Sequence, residues 1–392
     1  MHSKFNGSKS MIIFLIITSL FILSIAPAVA QNSHSKKEKA DIVPEKHVIE
    51  DVPYFPMYDY WSTCAMTSLE MASSYYGFDY SIMTLMNLGW QYGATFVENQ
   101  NGPVIMPGAE QPVTGILHAA ETLGFSVEEI NNQEKEEAWN TLTSFLAEDK
   151  PVIIQWTLHT VLAVGYDETG KENEIIFHNP ASPAALLDSY MGLNKSKLKS
   201  NIGEFSRMKK SKWFGEKYWQ NANSYPPKKY EMIAIKPPNK REEIDLKGVL
   251  RRNAYKTLGK RNWTSQPPYV WYSVDAFEEA AKNIESGDWS KEDLKSLFRA
   301  GDWGPASRSH ASAFLIGLYQ KTGIKELREA GQKFEKSGYL WQEANQIWEY
   351  VESKGQEFEN GKYQSIIAKA FRKISNTEKM AGEALLKAVE KM

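Results

Sequence analysis

Apolar and polar positions divide the chain into regimes with different periods. Met11 to Ile25 is an almost unbroken apolar run, preceded by Lys4 and Lys9 and followed by Ala28-Val29-Ala30. A basic start, an apolar middle and a small-residue end form the pattern of a secretory signal peptide, here residues 1–30, cut before Gln31. The run approaches the length of a short membrane span, so an uncleaved anchor is the alternative. Either way the bulk of the protein is expected to be secreted or otherwise outside the cytoplasm, with no further membrane span. Residues 31–50 are polar and include Lys36, Lys37, Glu38 and Lys39, which reads as a solvated linker with folding starting near Asp51. Residues 51–236 mix helix and strand signals. Residues 237–243 open with Pro237-Pro238-Asn239-Lys240-Arg241, a stiff polar hinge. The pattern over 244–392 is helical throughout, with capping-box forms at Ser290 to Asp293 and Ser375 to Glu378, and Gly323 and Gly355 where helices could stop.

Two segments of the mixed region stand out. Ala65, Leu69, Ala72 and Tyr76 make one helical stripe that Gly77 ends, and Ser62 and Thr63 before it are N-cap residues, so Cys64 opens a helix. Further on, Pro151 to Trp156 and Leu158 to Tyr166 are apolar runs with strand character, and Glu174 to Pro180 resumes it after a polar stretch around Gly170. The last two runs form a hairpin whose midpoint falls near Thr169. His159 and Asn179 are then directly opposed, with Cβ atoms about 4.5–5.5 Å apart. A slip of one residue would bring His178 forward instead.

Composition narrows the function. The 392 residues are 42% hydrophobic and 24% charged, an ordinary globular balance with room for two domains. The formal charge is −2, and loss of Lys4 and Lys9 with the leader makes it about −4, which argues against a nucleic-acid partner. No spacing of His, Cys, Asp or Glu suggests a metal site and no Gly-rich turn suggests a nucleotide, so no cofactor is expected. Trp213, Phe214, Tyr218 and Trp219 cluster after the basic stretch Lys195 to Lys212; such a cluster is more often core than a binding groove. The pattern leaves the oligomeric state open.

The single cysteine carries the sharpest signal. It has no partner for an internal disulfide, and an exported chain that keeps one thiol exposes it to oxidation. At a helix start the thiol meets the positive end of the helix dipole, which favours thiolate, and the nearby backbone N–H groups can hold an oxyanion. A nucleophilic thiol also needs a base, and the base needs a group that fixes its tautomer. Cys64, His159 and Asn179 supply those three roles.

These residues also carry a resemblance. Val52-Pro53-Tyr54-Phe55-Pro56, Thr63-Cys64-Ala65, Tyr75-Tyr76-Gly77, Pro151-Val152-Ile153-Ile154, His159-Thr160-Val161, Gly165-Tyr166-Asp167 and Asn179-Pro180 resemble the papain-like peptidases related to the bacteriocin-processing domains of export transporters. The resemblance implies a catalytic triad of Cys64, His159 and Asn179. Where that family has an oxyanion-donating Gln about six residues before the cysteine, this chain has Tyr58, between Met57 and Asp59; a phenol can donate as well. The family's Gly after the cysteine is Ala65 here. Residues 244 to about 351, through Trp303 to His310, Ala313-Phe314-Leu315 and Phe334 to Trp341, resemble the helical domain of butirosin biosynthesis protein H-like acyltransferases. The expected fold is α+β: a papain-like thiol domain over 51–236, its Cys64 helix packed on an antiparallel sheet bearing His159 and Asn179, then an all-helical domain. The expected activity is that of an exported cysteine peptidase or amidohydrolase acting on a peptide or other amide. Acyl transfer of the butirosin type and an inactive binding protein are the alternatives.

Overall fold

The computed structural model describes residues 43–57, 63–90, 92–99, 102–107, 112–131, 134–156, 159–181, 203–213, 229–259, 269–291, 293–294, 303–353 and 363–392. Its elements run β1 (Lys46–Val48), α1 (Cys64–Tyr75), α2 (Ile82–Leu88), β2 (Ala94–Asn99), β3 (Gly102–Pro107), α3 (Pro112–Thr122), β4 (Ser126–Ile130), α4 (Lys135–Ala147), β5 (Val152–Gln155), β6 (Thr160–Asp167), β7 (Glu174–Asn179), β8 (Gly203–Lys209), α5 (Lys210–Trp213), β9 (Met232–Lys236), α6 (Leu246–Thr257), β10 (Tyr269–Tyr272), α7 (Ser273–Ser286), α8 (Trp303–Thr322), α9 (Lys325–Ser353) and α10 (Gln364–Lys391). The molecule is α+β, as the pattern implied. The signal peptide, Tyr58, Gly355 and the aromatics Phe214, Tyr218 and Trp219 lie outside the described residues.

The strand signals around His159 resolve into a seven-stranded sheet in the order β4-β9-β5-β6-β7-β8, with β1 alongside β6 and every pair antiparallel. β6 is buried from Thr160 to Tyr166, so both of its faces are covered, which is why its sequence is a continuous apolar run and does not alternate. Helices α1 and α4 pack on β5 and β6. Trp213 is fully buried against this sheet, edge-on to Trp156 with ring centroids 5.4 Å apart, so that part of the aromatic cluster is core.

Folding starts earlier than the charge pattern indicates. Lys46–Val48, assigned above to the linker, pairs with Gly165–Asp167 as β1. Its docking depends on a bulge: Ala163 faces Phe177 and Gly165 faces Ile176, leaving Val164 as an extra residue whose carbonyl accepts the Ile49 N–H at 2.8 Å. Gly165 is required there, because a Cβ on it would lie 2.6 Å from the His47 carbonyl oxygen.

Among its described residues the C-terminal region has one strand besides its helices, β10, which pairs with β2 to complete a three-stranded sheet with β3. Its cores draw on both sides of residues 237–243. Trp90 and Tyr92 pack with Leu250, Tyr272, Phe334 and Leu385, and Ala94 packs with Phe277 and Trp341. Hinge residue Arg241 lies over the Tyr80 ring and donates to the Asp79 carbonyl. Ser290 and Asp293 form the reciprocal capping box, Ser290 N–H to Asp293 Oδ2 at 2.8 Å and Asp293 N–H to Ser290 Oγ at 3.1 Å. The second such form is not a cap. Ser375 and Glu378 lie inside α10, where Glu378 is fully buried and pairs with Arg308 of α8. Val43–Met392 make up one compact unit.

Candidate active site

Helix α1 begins at Cys64, with Thr63 at the N-cap and its carbonyl taking the first helical bond, from Thr67 N–H at 2.7 Å. The N–H groups of Cys64, Ala65 and Met66 precede that bond and form the donor end of the helix. The helix stops at Gly77, which has a left-handed φ of 79° that a glycine adopts without strain. Its far end is marked by Tyr75 and Tyr76, whose phenol pKa values are raised chiefly by burial, then by Asp149 for Tyr75 and by Tyr75 and Asp149 for Tyr76. α1 packs along β5 and β6, and Cys64 at its first position is 9% exposed.

His159 immediately precedes β6, its carbonyl held by the Trp156 N–H at 2.7 Å. Its Nε2 lies 2.7 Å from Asn179 Oδ1. An amide oxygen only accepts, so Nε2 carries the hydrogen and Nδ1 is left with the lone pair. Asn179 Oδ1 also accepts the Ala181 N–H at 3.0 Å, which fixes the amide's own orientation. The imidazole is only 3% exposed, with the Trp156 ring centroid 6.0 Å away. Burial brings its pKa down to about 4, against the Asn179 bond, which acts the other way. His159 is thus a neutral base at neutral pH.

The structure brings His159 and Asn179 together, though by a different register from the expected one. Leu162 faces His178, and continuing that pairing sets Asn179 level with Val161, two residues from His159. At its base the hairpin pairs Tyr166 with Ile175, three positions beyond the Glu172 that a Thr169 midpoint implies; the Val164 bulge recovers one of the three, and the two side chains meet diagonally across the strands. His178 does not come forward in place of Asn179: it is buried, bonded through Nε2 to the Val52 carbonyl at 3.0 Å. Tyr58, the proposed oxyanion donor, lies outside the described residues. Sequence reasoning missed Trp156, read only as the end of a strand; an aromatic three positions before a histidine is the signal that points to it.

Residues 49–213, somewhat under half of the chain, match the model of the Peptidase_C39 like family. Over that span the chain is similar to cysteine peptidases of the papain-like kind, and the likeness supports a cysteine peptidase-like function. No curated protein matches the chain. Among the described residues no helix is long and apolar enough to cross a membrane.

Proposed function

We propose that this protein is an exported cysteine peptidase or amidohydrolase that cleaves a peptide or related amide through a thioester on Cys64. The observation that carries the reading is the His159 Nε2 to Asn179 Oδ1 bond, which leaves Nδ1 of a neutral, buried imidazole as the base. In the first step Nδ1 takes the thiol proton as Sγ bonds to the substrate carbonyl carbon. The new oxyanion is held by N–H groups at the start of α1, and Tyr58 is suited to add an O–H. Nε2–H stays on Asn179, which steadies the imidazolium. The C–N bond then breaks, with the His159 proton passing to the departing amine. Water, deprotonated by the same nitrogen, attacks the thioester carbonyl, releases the acid and returns the thiol. Export rests on the apolar run between Lys9 and Ala28.

The test is to incubate the mature chain with a complex mixture of denatured proteins and peptides and to read new termini by mass spectrometry. Cleavage that disappears in Cys64→Ala and in His159→Ala supports the reading. Cleavage that survives Cys64→Ala contradicts it, and acylation of an added amine in place of hydrolysis assigns acyl transfer to the site instead.

A further inference from the structure

Asn179 is preceded by His178, whose own bonds tie the end of β7 to a neighbour on either side. Opposite His178, β8 carries one residue more than β7: Phe177 pairs with Ser206 and Asn179 with Gly203, so Glu204 and Phe205 together face the one histidine. Phe205 has a φ of 48°, a left-handed conformation that an aromatic residue rarely adopts. That backbone lays the Phe205 N–H on His178 Nδ1, at 3.2 Å. Since a backbone N–H only donates, Nδ1 is unprotonated and Nε2 carries the hydrogen, which goes to the Val52 carbonyl at 3.0 Å. The rings of Tyr54 and Phe205 stand edge-on to the imidazole, at 5.7 and 4.9 Å.

The partner segment, Val52 to Met57, is a strap laid along the end of β7. Beside the Val52 contact, the Tyr54 O–H donates to the Asn179 carbonyl at 3.2 Å and Met57 N–H donates to the Pro180 carbonyl at 2.7 Å. Three successive residues, His178, Asn179 and Pro180, are each tied to a strap that leads on to Cys64.

We propose that His178 is a positioning residue for the Cys64, His159 and Asn179 constellation, a two-sided staple that holds the end of β7 between the strap and β8 only while its ring is neutral. The inference rests on the peptidase-like reading above and gives it a means of regulation by acid. Protonation of Nδ1 would set two N–H donors against each other at Phe205 and release the bulge beside Asn179. The groups facing the ring are the Glu204 carboxylate from β8, which favours the charged form, the neutral Tyr54 phenol from the strap, and apolar Leu162 from β6. Burial outweighs both the Val52 bond and Glu204, which favour the charged form, and holds the ring's pKa below the ordinary histidine value.

Two substitutions separate positioning from packing. His178→Gln keeps one donor and one acceptor on an uncharged side chain, whereas His178→Phe keeps only bulk. The readouts are the tautomer of His159 in long-range 1H–15N spectra and the rate at which iodoacetamide alkylates Cys64 from pH 5 to 8. The expected result is a single Nε2–H tautomer in the wild type, a mixture of tautomers in His178→Phe with alkylation slower on the order of 10-fold, and recovery of both in His178→Gln. His178→Gln should also keep alkylating at acid pH where the wild type declines. If His178→Phe leaves tautomer and rate untouched, the staple is wrong while the peptidase-like reading stands. A wild-type thiol no faster than an ordinary one, beside an intact His159 tautomer, overturns the reading and the staple with it. Should His178→Phe not fold, the wild type carries the test: the His159 tautomer must change in step with titration of His178, and independence of the two overturns the proposal.

Discussion

His159 shows how burial and hydrogen bonding divide the work at one residue. The Asn179 amide decides which nitrogen carries the hydrogen, and enclosure beside Trp156 keeps the ring neutral. The same enclosure makes stability depend on pH. The folded pKa, about 4, lies below the unfolded value near 6.5, so the unfolded chain binds the extra proton first. The contribution is present in full above about pH 6.5 and is lost as pH falls towards 4, roughly 3 kcal/mol in all. Other groups titrate in that window, among them Glu70, raised to about 7 by burial, which acts in the opposite direction. A comparison with His159→Gln therefore isolates the effect: the urea-derived stability of the wild type minus that of the variant should shrink by about 3 kcal/mol between pH 7.5 and 4. An unchanged difference would mean that the ring is open to solvent. Much of this site was legible in the sequence, because a thiol between cap residues and a stop glycine, and a polar residue at each end of a hairpin, are local signals. What was not legible depends on backbone geometry: Gly165 marks the bulge beside it but not the hairpin's register, and the left-handed Phe205 has no marker in residue type.

At the scale of elements, the helices gain their cohesion from an interior that is not wholly apolar. Arg308 of α8 reaches Glu378 Oε1 of α10 with Nε at 2.9 Å and Nη2 at 2.7 Å, while Nη1 donates to the Gly93 carbonyl and Ser307 Oγ, both at 3.2 Å. Ser337 of α9 donates to the same carboxylate oxygen at 2.8 Å, and the guanidinium stands over the Trp341 ring at 5.2 Å. This one cluster joins three helices to the segment before β2. Removing a single partner leaves a buried charge without its counter-ion, so Arg308→Met should cost roughly 3–5 kcal/mol in chemical denaturation. A loss under 1 kcal/mol would mean that the charge is relieved in some other way. Sequence periodicity found these helices but misread Ser375 to Glu378 as a helix start, because a capping box and a buried Ser/Glu pair share one spelling. It also missed β10, a four-residue strand that exists only because β2 offers it an edge.

Over the whole molecule, the polar stretch 237–243 separates two patterns in sequence but not two cores in space. Trp90, Tyr92 and Ala94 precede it and are completely buried among residues that follow it. A fragment ending at residue 243 would expose those side chains, at a cost of about 1.5–3 kcal/mol for each large one. Such a fragment should lack the cooperative thermal transition of the full chain in circular dichroism; a sharp transition of its own would show that the N-terminal part folds alone. The charge balance and the single thiol were fixed by composition, whereas this sharing of cores depends on contacts between residues more than 150 positions apart. That single thiol also gives the most direct test, since thiol alkylation can report Cys64 alone. Measured with iodoacetamide from pH 4 to 9, the rate in the wild type should rise to its plateau well below the pH of about 8.5 at which an ordinary thiol ionises, and His159→Ala should abolish that advantage. A wild-type profile that follows an ordinary thiol, or one that His159→Ala leaves unchanged, would contradict the claim that this imidazole activates this sulfur.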